Sequence, residues 1–154
     1  MVEYNVNEPR LIDLTLRVDD RGHLYEVCHN YDLVNGRFGQ VYCVQNPGAG
    51  AIRAYHRHQV LWDYFTIVSG RAIFCLIGPD RKKSQRYTID ARKPQMLVVP
   101  PGWYHGWVSL VDDTILLSVG SELYDRESPD EERVPWDSFN SLFGDRNPFE
   151  VWAK

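Results

Sequence analysis

About ten short apolar runs, each cut off by turn-forming residues, constrain this chain more than any other feature. They are Leu11–Val18, His23–Cys28, Gln40–Gln45, Ala51–His58, Leu61–Val68, Arg71–Ile77, Gln85–Ile89, Gln95–Val99, Trp103–Val108 and Thr114–Val119. Segments this short, rich in Val, Ile, Leu, Tyr and Phe, suit half-buried strands better than helices. Repeated at this spacing they predict an all-β sandwich or barrel. Helical signal is confined to the C-terminal end, where Asp137-Ser138 precedes Phe139, Leu142 and Phe143 and predicts one short helix. No apolar run approaches the ~20 residues that cross a bilayer. Met1-Val2-Glu3-Tyr4 does not resemble a secretion signal, so no membrane partner and a cytoplasmic location are expected.

A chain of 154 residues fits one domain, expected over residues 1–154, and a chain of that size buries about 68–70% of the surface its unfolded form exposes. Its net charge of −4 argues against a phosphate-neutralising surface, so nucleic acid is not an expected partner. Cys28, Cys43 and Cys75 lie in different segments without a C-x-x-C spacing. They read as small core residues, with no disulfide framework or cysteine metal site. The most polar stretch, Tyr124–Glu132, reads as a solvated loop.

Two histidines interrupt one of the apolar runs. Side chains alternate across a strand, so Ile52, Ala54, His56 and His58 are expected on one face and Arg53, Tyr55 and Arg57 on the other. In the next run Leu61, Asp63, Phe65 and Ile67 share a face, and after the turn at Pro101-Gly102 a further strand begins near His105. If these faces line a barrel, three imidazoles and one carboxylate meet in an apolar lumen. That is costly unless they bind something. Imidazole with carboxylate suits divalent Zn, Fe, Ni or Mn. Trp62, Trp103 and Trp107 flank this lumen, and such residues serve more often as packing than as stacking platforms for a base or sugar.

The spacing resembles the first motif of the cupin superfamily at Gly50, His56, His58, Asp63 and Gly70, with Asp for the usual Glu, and its second motif at Pro100, Gly102 and His105. Pro94 and Ser109 replace the opening Gly and closing Asn of that second motif. The resemblance implies a cupin jelly-roll β-barrel, a double-stranded β-helix, with a short C-terminal extension.

A closer resemblance is to the dTDP-4-dehydrorhamnose 3,5-epimerase family, and it covers roughly residues 11 to 137. It rests on Asp19-Asp20-Arg21-Gly22-His23-Leu24-Tyr25-Glu26, Gly50-Ala51-Ile52-Arg53-Ala54-Tyr55-His56, Pro100-Pro101-Gly102-Trp103-Tyr104-His105-Gly106-Trp107, and the segment from Tyr124 to Asp137. The resemblance implies His56 as the base that removes a sugar ring proton, with Arg21 and Arg53 at the diphosphate or ring oxygens. Glu26, His58, Trp103 and His105 are further substrate contacts by position. A 4-keto group acidifies the neighbouring ring protons, so a neutral imidazole suffices as base. The enolate then needs donors at its oxygen.

Three departures stand out. The family's active-site lysine falls on Asp63, and its tyrosine acid falls on Leu117 or Ser118. The aspartate that pairs with the catalytic histidine has no counterpart unless Asp145 substitutes for it. A metal held by His56, His58, Asp63 and His105 would replace the missing donors, and Tyr104, Tyr55 or Tyr64 are the tyrosines to weigh as acid; alternation puts Tyr55 and Tyr64 on the face opposite the ligands, which leaves His56, Asp63 and Tyr104 as the expected catalytic residues. The expected activity is thus epimerisation or isomerisation of a nucleotide-linked 4-keto-6-deoxy sugar, with no cofactor required, by a homodimer paired through an edge sheet. The alternatives are a metal-dependent cupin with dioxygenase, lyase or sugar isomerase chemistry, and a non-catalytic sugar-binding cupin.

Overall fold

The computed structural model describes residues 6–152. Its strands are β1 (Arg10–Asp13), β2 (Arg17–Asp19), β3 (Gly22–Leu24), β4 (Gln40–Asn46), β5 (Ile52–Arg57), β6 (Asp63–Ser69), β7 (Arg71–Ile77), β8 (Ser84–Asp90), β9 (Gln95–Val99), β10 (Tyr104–Ser109), β11 (Thr114–Gly120) and β12 (Glu132–Arg133). In the order β1-β9-β6-β11-β4 five of them form one sheet, and in the order β12-β5-β10-β7-β8 five form a second. All these pairings are antiparallel, and β2 and β3 form a separate hairpin. The two large sheets close over a shared core as a jelly-roll barrel, as the strand pattern and the motifs imply.

Alternation along each strand decides which side chains enter that core. Phe65 and Ile67 of β6, Phe74 and Leu76 of β7, Leu97 and Val99 of β9, Trp107 of β10 and Leu116 of β11 pack between the sheets. The intervening residues of β7 and β10, Ile73, Cys75, Ile77, Tyr104 and Val108, face the opposite way and are buried too. They are covered by the C-terminal helices α1 (Asn140–Phe143) and α2 (Pro148–Trp152), which bring Phe139 and Phe149 against Tyr55. A strand buried on both faces reads as a continuous apolar run, which is how β7 reads. Cys75 is fully buried there, whereas Cys28 is half-buried and Cys43 is exposed rather than in the core; all three are free thiols.

Three expectations need correcting here. Leu11–Val18 is not one strand: β1 pairs with β9 only as far as Asp13 opposite Gln95. The next residue on β9's side is Pro94, which has no N–H to continue the ladder. Its carbonyl accepts from Leu14 N at 3.0 Å, and the chain then leaves the sheet. The run His23–Cys28 contributes only His23 and Leu24, to β3. The C-terminal helix starts at Asn140, not near Asp137, and α2 follows it. The signal for α2 is Asn147-Pro148: the Asn147 carboxamide oxygen accepts from Phe149 N at 3.1 Å, and proline suits the first helical position. At the turn between β6 and β7, Gly70 has φ +77°, and a Cβ there would lie 2.5 Å from Thr114 Oγ1. Among the described residues no helix is long and apolar enough to cross a membrane.

Candidate active site

A cavity of about 620 Å3 opens between the two sheets at the end where β5, β6 and β10 meet, a size ordinary for a small-molecule site. One wall comes from the second sheet and carries Arg53, His56, His58, His105 and Trp107, with Glu131 and Arg133 beside them. The facing wall comes from the first sheet and carries Gln40, Tyr42, Val44, Asp63, Phe65 and Leu116.

Arg53 is on the cavity side, contrary to the simple alternation. In the β5–β10 ladder His105 is opposite His56, but Trp107 is opposite Arg53, so the single residue Gly106 of β10 faces two of β5, Ala54 and Tyr55. Such a bulge puts residues three apart on the same face. Gly106 permits it, since a Cβ there would lie 2.2 Å from the Ala54 Cβ. Arg53 Nε donates to Asn46 Oδ1 at 2.7 Å, which aims the guanidinium along the cavity wall. Tyr55 and Arg57 keep the outward orientation: Tyr55 packs on Phe139 and Phe149, and Arg57 pairs with Glu132.

The three imidazoles and the carboxylate do converge. One nitrogen from each of His56, His58 and His105 and one Asp63 oxygen lie within 4.8 Å of one another. Asp63 Oδ2 is 3.4 Å from His58 Nε2 and 3.3 Å from His105 Nε2, and His105 Nε2 is 3.0 Å from His56 Nε2. Backbone carbonyls set two of the ring orientations. His105 Nδ1 donates to Trp103 O at 3.1 Å, and His58 Nδ1 donates to Asp130 O. With the proton held on Nδ1, each Nε2 turns a lone pair toward Asp63. Asp63 Oδ2 is itself buried without a hydrogen-bond partner. Burial raises the Asp63 carboxyl well above the usual carboxylate range. It also lowers His105 far below an ordinary imidazole and takes His56 down to about 4, with the neighbouring imidazoles adding to both shifts. Bare nitrogens and a bare oxygen around one point fit a divalent cation, which would satisfy all of them at once.

The polar stretch read as a solvated loop contributes to this site. The Asp130 carboxylate accepts from the backbone N–H groups of Gln59, Val60 and Leu61 at 2.9, 2.9 and 3.0 Å, fixing the turn that carries the chain from His58 to Asp63. Burial would raise this carboxyl, but the three donors outweigh it and hold it below the ordinary value. Glu131 and Arg133 follow at the cavity edge, joined by contacts of 2.9 and 3.1 Å. No local pattern marks Asp130, because its partners lie some seventy positions earlier; Gln59 is 71 residues away.

Other predicted residues lie elsewhere. Tyr104 points out of the barrel, and its hydroxyl donates to Glu132 Oε1 and accepts from Arg81, both at 2.6 Å. Tyr64 also faces away, accepting from Val34 N at 2.8 Å. Trp103 is buried, with its indole N–H donating to Asn7 O at 2.9 Å, and Trp62 packs beside Tyr64. Of the three tryptophans only Trp107 lines the cavity. Arg21 sits at the tip of the β2–β3 hairpin paired to Asp19, and Glu26 pairs with Arg17 at 3.2 Å; neither reaches the cavity of its own chain. Asp145 is exposed beyond α1 and is no substitute for a catalytic aspartate. Ser118, one of the two positions expected for the tyrosine acid, is buried on β11 and lies directly across the ladder from Tyr42 of β4.

Residues 17–132 match the polysaccharide biosynthesis C-terminal domain family. The chain belongs to that family. It is 32% identical over 145 residues, 86% of this chain and 90% of the relative, to a protein of Haloferax volcanii named probable low-salt glycan biosynthesis epimerase Agl13. It is 27% identical over 125 residues, 77% of this chain and 82% of the relative, to the spore coat polysaccharide biosynthesis protein SpsL of Bacillus subtilis. Among solved structures, the dTDP-4-dehydrorhamnose 3,5-epimerase of Bacillus anthracis, with TDP and PPi bound, superposes with a TM-score of 0.76 at 24% identity, over 88% of this chain and 83% of that one. The fold resemblance read from the motifs is therefore shared in three dimensions. All four members of the histidine and aspartate cluster lie between Gly50 and Ser109, inside the stretch that defines the family.

Proposed function

We propose that this chain is an epimerase or isomerase of a nucleotide-linked 4-keto-6-deoxy sugar, acting in cell-surface polysaccharide or deoxysugar biosynthesis. Kinship with a glycan-biosynthesis epimerase sets the class of reaction. The observation that carries the chemistry is His56 in the cavity wall beside Arg53. Its ring is largely shielded, burial lowers its pKa to about 4, and its Nε2 lies 3.0 Å from His105 Nε2 at the cavity wall rather than against a carboxylate partner. A neutral imidazole so placed accepts the proton from a carbon made acidic by an adjacent ketone. Arg53, fixed through Nε, offers its two terminal nitrogens to a diphosphate, and no protein partner occupies them among the described residues. The test is mass spectrometry of 4-keto-6-deoxy nucleotide sugars incubated with the protein in deuterium oxide. Deuterium at carbon 3 or 5 supports the reading, and no exchange with any of them defeats it.

A second reading has its own observation, the partnerless Asp63 Oδ2. In this reading His56, His58, Asp63 and His105 hold a divalent cation, Zn, Fe, Ni or Mn. Such an ion supplies Lewis acidity toward an enolate oxygen. Elemental analysis of the purified protein is expected to give one equivalent of metal that is lost in His58→Ala. Metal-free protein with full turnover would count against it.

The protein is also proposed to work as a homodimer. Supporting this are the free edge of β4 and the exposed apolar side chains Val41 on it and Val18 and Leu24 on the hairpin, which pairing between copies would cover. Sedimentation equilibrium at micromolar concentration distinguishes dimer from monomer.

A further inference from the structure

Inversion at a carbon requires a proton to leave from one face and another to arrive at the opposite face. A single base that returns the proton it took gives retention. The two walls of the cavity meet this requirement unequally. The base, His56, stands on the second sheet beside His58 and His105, and Glu131 and Arg133, at and just before β12 of that same sheet, flank it. The donor must therefore come from the first sheet.

Of the side chains that β4, β6 and β11 send to the cavity, two carry a dissociable proton. Asp63 is one, but it lies against His58 and His105 at 3.4 and 3.3 Å, on the side where the base already stands. Tyr42 is the other. Alternation on β4 puts it on the same face as Gln40 and Val44, and all three line the cavity. It is 41% exposed as a residue, and Ser118 of β11 lies directly across the ladder from it. The only other tyrosines in the cavity lining are Tyr55, whose ring packs outward on Phe139 and Phe149, and Tyr124, whose hydroxyl is 3.5 Å from Glu131 on the base's side.

We infer that Tyr42 is the catalytic acid that delivers the second proton, from the wall facing His56. The inference rests on the proposed epimerase reading. In the first step the C–H bond adjacent to the ketone breaks, its proton passes to the His56 imidazole, and the electron pair forms the enolate. In the second step the enolate carbon takes the phenolic proton of Tyr42 on its other face and the ketone re-forms. Tyr42 is left as the phenolate and His56 as the imidazolium. Exchange with water at the cavity mouth restores both, so the cycle is neutral in protons and electrons.

The test compares wild type, Tyr42→Phe and Tyr124→Phe on the 4-keto nucleotide sugar that wild type turns over, in deuterium oxide. Two rates are followed: deuterium incorporation at the reacting carbon and inversion of its configuration. Tyr42→Phe is expected to lose inversion by at least about 100-fold, the scale of a positioned general acid. Its exchange should stay within about tenfold of wild type, because His56 still removes and returns protons on its own face. A variant damaged only in structure loses both rates together, so their ratio separates the two cases. Inversion at the wild-type rate in Tyr42→Phe overturns the assignment, as does exchange without inversion appearing in Tyr124→Phe instead. A wild-type protein that exchanges no substrate defeats the epimerase reading itself, an outcome separate from either of these.

Discussion

Two polar clusters lie on opposite faces of the same strands, and they differ in one respect. On the outer face of β5 and β10, Tyr104, Arg57, Arg81 and Glu132 satisfy one another. Arg57 Nε donates to Glu132 Oε2 at 2.8 Å, Arg81 to Glu132 Oε1 at 3.1 Å, and both guanidinium groups lie over the Tyr104 ring. On the inner face, His56, His58, His105 and Asp63 are just as close together but leave Asp63 Oδ2 without a donor. A saturated network holds a structure together, whereas an unsaturated buried one stores a binding capacity at the expense of stability. The contrast assigns fastening to the outer group and chemistry to the inner one.

Asp63→Asn should sharpen that contrast most. It keeps the shape of a carboxyl that burial shifts upward, but removes the only group able to carry negative charge among the imidazoles. Turnover is expected to fall by about 100-fold or more. In metal-free protein the denaturation midpoint should stay level or rise, a change of under about 1 kcal/mol. Parallel assays of turnover and urea unfolding check both halves. A large loss of stability would place Asp63 among the fasteners.

Gly106→Ala comes next, since it strikes both faces at once. The added Cβ would sit 2.2 Å from that of Ala54, so β10 must move away from β5. Overpacking of this kind costs about 1–3 kcal/mol. The same shift separates His105 from His56, so activity per folded molecule should fall together with the thermal midpoint. Tyr104→Phe is the converse. It removes one hydroxyl from the saturated network at a cost of about 1 kcal/mol, and should leave turnover per folded molecule unchanged, in contrast to what a catalytic Tyr104 would require.

The inner cluster was legible in the sequence because period-two alternation and motif spacing both point to His56, His58, Asp63 and His105. Alternation failed at Arg53, where a bulge whose only trace is Gly106 moves the side chain to the cavity side. At Tyr104 it held: the residue is one position from His105 and so faces the other way, which weighing it as the acid overlooked. Asp130 was invisible for a different reason. Its carboxylate serves backbone N–H groups, which every residue has, so nothing at Gln59, Val60 or Leu61 advertises the partner. Contacts between side chains on alternating strands leave a pattern in the chain, and side chain to distant backbone contacts do not.

Asp90 provides the smallest expected effect and a control for Asp63, being the same residue type shifted in the opposite direction. In the turn after β8, Arg92 side-chain and backbone donors hold the Asp90 carboxyl down at about 2. Arg92 Nη2 is 2.7 Å away and largely in solvent. The folded value lies below the ordinary 3.8 of the unfolded chain, so between these values the unfolded chain binds the proton more readily. The stabilisation is therefore complete above about pH 4 and is lost as pH falls toward 2. Screening of an exposed pair keeps it under about 1 kcal/mol. Asp90→Asn retains an oxygen for the Arg92 backbone N–H and removes only the charge. The difference between wild type and Asp90→Asn in urea unfolding should be measurable at pH 7, shrink in high salt and vanish near pH 2. Asp63→Asn should show no such loss of stabilisation on the acid side, because burial shifts the Asp63 carboxyl upward, opposite to Asp90.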